Sequence, residues 1–163
     1  MITQPALKIR SFALTITLLG LLSACATQPG PVSGNNAGTT GNSLGDKAAS
    51  VALRQVGVPY LYGGASSKGF DCSGLIQYSY RAAGKNLPRT TGQLWSATRT
   101  VDRKDMQIGD LLFFSIEGKM SHVGMYLGGE RFVHAPSSGR TVVVAQLNSP
   151  FYAKAFLRAG RPQ

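Results

Sequence analysis

Up to Ala97 the apolar residues fall into short helical faces, and beyond Gly109 they change to dense β-branched and aromatic runs punctuated by Gly, Pro and Ser. Ser43-Leu44-Gly45-Asp46 has the form of a capping box, so a helix is predicted over Ala48 to Gln55, with Gly57 to stop it and Pro59 just beyond. A second helix is predicted to begin at or beside Cys72. Asp71 can cap it, Leu75, Ile76, Tyr78 and Ala82 give it an apolar face, and Gly84 ends it. A short third helix is predicted from Thr91 to Ala97. Leu111 to Ser115, His122 to Leu127, Arg131 to His134 and Thr141 to Ala145 read as strands, with a last candidate near Ala155 to Arg158. Helices first and a meander second is an α+β layout. The N-terminal helices would cover one face of an antiparallel sheet of about five strands.

The chain has only two histidines, His122 and His134, and both fall on one predicted β-hairpin. With Leu127-Gly128-Gly129 as a three-residue loop, Tyr126 faces Glu130 and His122 lies opposite His134 on the same face. Val123, Met125 and Val133 then share the other face, as a core requires. A two-residue Gly128-Gly129 turn would instead send the histidines to opposite faces, so a shared site needs an odd loop or a bulge.

The ends of the chain add a destination. Lys8 and Arg10 precede an apolar stretch from Ser11 to Leu22 that is too short to span a bilayer comfortably, and residues 1–24 read as a signal peptide. It closes in Leu22-Ser23-Ala24-Cys25, which resembles the bacterial lipoprotein signal. That resemblance implies cleavage before Cys25 and lipid on its sulfur. An ordinary secretory peptide cut after Ala24 is the alternative. From Ala26 to Asn42 the composition is Gly, Pro, Ser, Thr, Asn and Gln with almost nothing apolar to bury, so residues 25–45 are assigned to a lipidated N-terminus and flexible tether. Residues 46–163 are one domain's worth of chain, without internal repeat or second domain.

Net charge is +10, and removing Lys8 and Arg10 lowers it by two to +8. For an exported protein this points away from nucleic acid and towards anionic lipid or the carboxylate-bearing cell wall. A merely soluble basic surface would look the same. Export also changes the meaning of Cys72. With lipid on Cys25 it is the one free thiol in an oxidising compartment.

Cys72 sits in Phe70-Asp71-Cys72-Ser73-Gly74, where an extended segment is predicted to turn into a helix. A thiol there faces backbone N–H groups and the positive end of the helix dipole, and an imidazole nearby holds a proton, so a thiolate with a lowered pKa is expected. A buried structural cysteine would suit the middle of an apolar run better. His122 is then the candidate general base and His134 the residue that orients it. Zinc would want further ligands or an acidic partner beyond one Cys and two His, and no metal or other cofactor is expected.

Val58-Pro59-Tyr60-Leu61-Tyr62-Gly63-Gly64, Phe70-Asp71-Cys72-Ser73-Gly74-Leu75, Leu87-Pro88-Arg89-Thr90-Thr91, Gly109-Asp110-Leu111, Ser121 to Tyr126 and Phe132-Val133-His134-Ala135 occur in the order seen in the NlpC family of cell-wall cysteine peptidases. The resemblance runs from about Asp46 to near the C-terminus. It implies a reduced papain-like fold with Cys72 as nucleophile, His122 as base and His134 as the third residue. It also implies that Tyr60 lies beside the nucleophile, its hydroxyl supporting the oxyanion or substrate together with the Cys72 N–H, although by itself Tyr60 reads as a core aromatic. In some members the positions matching Asp71 and Ser73 help form the substrate pocket, and helix capping by Asp71 is an equally good reading.

The expectation is therefore a lipoprotein on the periplasmic side of the outer membrane, a monomer, that hydrolyses amide bonds in peptidoglycan stem peptides. Ala26 after the cysteine is not the acidic residue associated with inner-membrane retention. An amidase or acyltransferase on the same fold, and a non-catalytic wall-binding protein, are the alternatives.

Overall fold

The computed structural model describes residues 43–137 and 139–163. The predicted signal peptide, the predicted lipidation site Cys25 and the predicted tether up to residue 42 lie outside the described residues. Ser43 and Asp46 form the expected capping box, with Asp46 N donating to Ser43 Oγ at 3.1 Å and Ser43 N to Asp46 Oδ2 at 3.2 Å. The cap opens α1 at Leu44–Leu53, so residues 43–45 belong to the domain and not to the tether. Ala48, Ala49, Val51 and Ala52 make its buried face. A two-strand ribbon follows, β1 Ala65–Ser66 against β2 Gly69–Phe70, and leads straight into α2 at Cys72–Ala82. Gly57 and Gly84, past the ends of these two helices, both take positive φ, at 92° and 101°.

The predicted face of α2 needs one change. Leu75 and Ile76 are buried, but Ala82 is exposed and its place in the core is taken by Ser79 and Tyr80. Tyr80 can be buried because its hydroxyl donates to Gly109 O at 2.7 Å.

α3 is Thr91–Ser96, capped by Thr90 and Gln93. Then come β3 Thr98–Val101, a single 3-10 turn at Arg103–Asp105, β4 Leu111–Ile116, β5 Lys119–Gly128, β6 Arg131–His134 and β7 Val143–Gln146. A short α4, Pro150–Ala155, precedes β8 Phe156–Pro162. The main sheet has six strands rather than about five, in the order β3-β8-β4-β5-β6-β7. The predicted meander is its β4 to β7 half, and the C-terminal strand returns to pair with the other side of β4. β3 gives no strand signal in the sequence because Thr98-Arg99-Thr100-Val101 buries only its two end residues.

One face of the sheet presents Leu111, Phe113, Val123, Met125 and Val133 to α1 and α2. The opposite face carries Leu112, Phe114, Tyr126 and Phe132, covered by Tyr152 and Phe156 from the chain around α4. The sheet is thus covered on both faces, not on one.

Candidate active site

The β5–β6 hairpin decides whether the histidines meet. Tyr126 pairs with Phe132 and Met125 with Val133, while Gly128 pairs with Arg131 across a two-residue turn, Gly129-Glu130. The register therefore differs by two from the expected one, and Tyr126 does not face Glu130. The slip between Tyr126 and Gly128 is the bulge that keeps both histidines on one face. Continuing the pairing sets His134 across from Gly124, so His122 is its diagonal neighbour and not its direct partner. Gly124 has no side chain to separate them, and a Cβ there would run into the Phe132 ring. His122 Nε2 and His134 Nδ1 lie 2.8 Å apart in a hydrogen bond. Both rings are buried, at 4% and 1% exposure.

Cys72 is the first residue of α2, and Asp71 accepts from Gly74 N at 2.7 Å as its N-cap. The thiol is half-buried. Sγ lies 3.7 Å from Thr91 Oγ1 and 3.9 Å from Ser121 O, and the Val123 N–H also points at it. Backbone groups alternate sides along a strand, and Tyr126 bonds to the β4 side through Asp110 O, so Ser121 O and Val123 N face the β6 side. β6 ends at His134, one turn of the ladder short of them. Cys72 thus fills the gap where β6 stops, against the two peptide groups that flank His122. Because Nε2 is taken by His134, Nδ1 is the one ring nitrogen that His122 has left for the thiol.

The electrostatics of this pair differ from the expected ion pair. Burial pushes the Cys72 thiol above its ordinary value, and the nearby Asp71 carboxylate adds to this, while the Thr91 hydroxyl and the N–H groups of Val123 and Ser73 act in the opposite sense. Burial lowers His122 to about 4. Burial, the neighbouring His122 and Arg140 together take His134 to about 3. At neutral pH the resting pair is a thiol and a neutral imidazole, with no hydrogen bond between them among the described residues. The helix terminus does favour the anion, but desolvation outweighs it here.

Tyr60 bridges to Phe70 in the strand just before the nucleophile and is half-buried. Burial, then the Cys72 and Asp71 charges, raise its hydroxyl pKa. Asp71 and Ser73 are already engaged. Arg89 spans the Asp71 carboxylate with Nη1 to Oδ1 at 2.9 Å and Nη2 to Oδ2 at 2.6 Å, and reaches Ser73 Oγ at 3.0 Å. Gly63 N donates to Asp71 Oδ2 at 3.0 Å. Burial alone would raise this carboxyl, but the Arg89 and backbone bonds outweigh it and hold it below the usual carboxylate range.

Three residues escaped the sequence reading. Arg89 lies in the Leu87-Pro88-Arg89-Thr90-Thr91 motif, but nothing in its spacing announces a partner at Asp71. Thr91 reads in the sequence as a helix start, with no sign of its contact with Cys72. Tyr152, whose hydroxyl lies 3.3 Å from His134 Nε2, sits in the Pro150-Phe151-Tyr152 segment that no predicted element included. Two wide surface depressions, of about 720 and 630 Å³, lie elsewhere, lined by residues such as Arg99 and Lys104 in one and Leu53 and Leu127 in the other. Neither is lined by Cys72, His122 or His134.

Residues 57–161 match the model of the NlpC/P60 family. The chain is 41% identical over 102 residues to a gamma-D-glutamyl-L-lysine dipeptidyl-peptidase of Bacillus subtilis (strain 168), an overlap of 61% of this chain and 34% of that protein. It is 38% identical over 106 residues to the murein DD-endopeptidase MepS/murein LD-carboxypeptidase of Escherichia coli (strain K12), covering 64% of this chain and 56% of the other. The matched segments thus span from about a third to just over half of these relatives' length. Among solved structures, an NlpC/P60 family protein of Bacillus cereus ATCC 10987 superposes with a TM-score of 0.68 at 34% identity, over 72% of this chain and 39% of that one. The NlpC/p60 domain of the peptidoglycan hydrolase SagA gives 0.63 at 32% identity, over 72% and 97%.

Proposed function

The chain belongs to the NlpC/P60 family, and we propose on that footing that its domain hydrolyses amide bonds in the peptide stems of peptidoglycan through a thiol acyl-enzyme. The observation that carries the reading is the bonded His122–His134 pair beside a thiol at a helix start. As Cys72 Sγ attacks the scissile carbonyl, its proton passes to His122 Nδ1. The imidazolium so formed donates its Nε2–H to His134 Nδ1. The carbonyl oxygen gains negative charge within reach of the Cys72 N–H, one of the helix-start donors with no intrahelical partner, and of the Tyr60 hydroxyl. His122 returns the proton to the leaving amine as the C–N bond breaks. A water then gives its proton to His122 and attacks the thioester, which releases the carboxylate and the thiol.

Arg89, Asp71 and Ser73 form a charged and polar ledge beside the nucleophile and support the placing of a stem peptide there. The names of the relatives divide between a γ-D-glutamyl bond and DD or LD bonds, so stem peptides are the substrate class proposed. Leu22-Ser23-Ala24-Cys25 supports the further proposal of a lipoprotein held at the outer membrane, which Cys25→Ser should release from the membrane fraction.

Digestion of purified peptidoglycan, read by mass analysis of the fragments, tests the activity. New termini should arise at amide bonds in the stems with glycan strands intact. Cys72→Ala and His122→Ala should abolish cleavage, and His134→Ala should leave a residue of it. Shortened glycan alone, or full activity in Cys72→Ala, refutes the peptidase reading.

A further inference from the structure

We propose that Arg140 is a specificity-determining residue, whose guanidinium takes a carboxylate of the stem peptide at the rim of the groove beside Tyr60. The proposal rests on the peptidase reading above and names a chemical group by which the site chooses its substrate. Beyond β6, residues 140–142 run alongside the segment that carries Tyr60. Tyr60 N donates to Arg140 O and Val142 N to Val58 O, both at 2.8 Å, on either side of a bridge between Pro59 and Thr141. Arg140 is therefore directly across from Tyr60, and residues so paired point their side chains to the same face. Val58, Tyr60 and Val142 pack in the helix-side core, against which Cys72 also packs. Two residues from Val142, Arg140 belongs to that same face. Val142 is fully buried and Arg140 is exposed, so the strand leaves the core between them and delivers a cation at its edge.

That charge is unspent. The ion pairs among the described residues join Arg89 to Asp71, Arg103 to Glu130 and Arg161 to Asp110, and Arg140 is in none of them. Arg89, the cation beside the nucleophile, already spans both oxygens of Asp71. Arg140 also acts on the catalytic side. It adds to the burial and the His122 influence that lower His134, and it opposes the burial that raises Tyr152. A stem peptide supplies the missing partner. A γ-linked D-glutamyl residue keeps its α-carboxylate free, diaminopimelate has a carboxyl beyond the peptide chain, and the C-terminus adds another. A guanidinium at the rim pairs with such a group through two parallel N–H···O bonds. Because it holds the peptide alike before and during the reaction, its contribution falls on KM and not on kcat.

The test measures hydrolysis at low salt by the full chain carrying Cys25→Ser, with and without Arg140→Ala. The substrates are a soluble diaminopimelate stem peptide with its carboxylates free, versions with one carboxylate at a time made an amide, and a version with all of them amidated. On the free peptide Arg140→Ala should raise KM roughly three- to tenfold, between the effect of an exposed ion pair and that of a charged hydrogen bond, and leave kcat within about twofold. Arg140→Lys should recover part of the loss. Amidating the carboxylate that Arg140 holds should raise the parent's KM by a similar factor and erase the difference between parent and variant, which tells the D-glutamyl carboxylate from the others. An equal Arg140→Ala effect on free and fully amidated peptides overturns the proposal, and so does no effect on the free peptide. Calorimetric binding of the free peptide to the Cys72→Ala form, with and without Arg140→Ala, reads the same factor without turnover. Failure of the peptidase reading looks different: stem peptides stay uncut, or Cys72→Ala still cleaves, whatever Arg140 does to binding.

Discussion

Arg89 and Asp71 are joined by two parallel hydrogen bonds one residue before the nucleophile, and the same carboxylate caps the helix that Cys72 opens. The pair therefore sets where the thiol stands. Arg89→Ala leaves a carboxylate with only 14% of its side chain exposed and no cation, which should cost about 1–3 kcal/mol in urea unfolding. Arg89→Lys restores the charge but not the two-pronged geometry, and should recover only part of that loss. Equal stability of Arg89→Ala and the parent would show that the pair is not holding the helix start.

The state of the thiol can be read by alkylation. Because burial raises the Cys72 pKa and no hydrogen bond joins it to His122, the rate with iodoacetamide should be slow at mildly acidic pH and climb with a midpoint above that of an unperturbed thiol. His122→Ala should leave that midpoint in place. Fast labelling near pH 5 that is lost in His122→Ala would instead establish a resting ion pair.

Acid should weaken the fold through the same histidines. Their folded pKa values, about 4 and about 3, lie below the ordinary 6.5, so below pH 6.5 the unfolded chain takes up protons that the folded chain refuses. Stability present above pH 6.5 is lost as pH falls towards 4 for His122 and towards 3 for His134, by several kcal/mol in order of magnitude for the pair. Asp71, held low by Arg89, acts in the same direction at still lower pH. Urea midpoints at pH 7, 5.5 and 4.5 should fall in sequence, and a flat series would contradict the buried neutral pair.

Gly124 should not tolerate a side chain. A Cβ there meets the Phe132 ring and the Val133 carbonyl, both next to His134, so Gly124→Ala should cost roughly 1–3 kcal/mol by overpacking and lower activity further than the stability loss accounts for. Thermal unfolding and peptidoglycan digestion on the same preparation check both parts.

Local signals carried most of the sequence reading. The Ser43–Asp46 box, Asp71 as N-cap and the strand runs after Gly109 act over three or four residues, and each produced its element. Parity along β5 and β6 was legible too, since a core must put Val123 and Val133 together, and this was enough to unite the histidines. The register itself was not. A bulge at Leu127 and a turn at Gly129-Glu130 give the same parity as a three-residue loop, and alternation cannot tell them apart. What stayed hidden was contact between distant segments: Arg89 with Asp71, Tyr152 with His134, β8 with β4. The expected thiolate failed for a related reason, because a helix start is visible in sequence whereas the depth at which it is buried is not.

Cys72 packs with the helix-side layer of the core, while His122 and His134 lie with Phe114, Phe132 and Tyr152 in the layer on the far side of the sheet. They approach each other at the stretch of β5 around His122 that β6 leaves uncovered. Both layers must therefore be intact for the two to meet, and a protein molten on either side of the sheet has already lost its reaction.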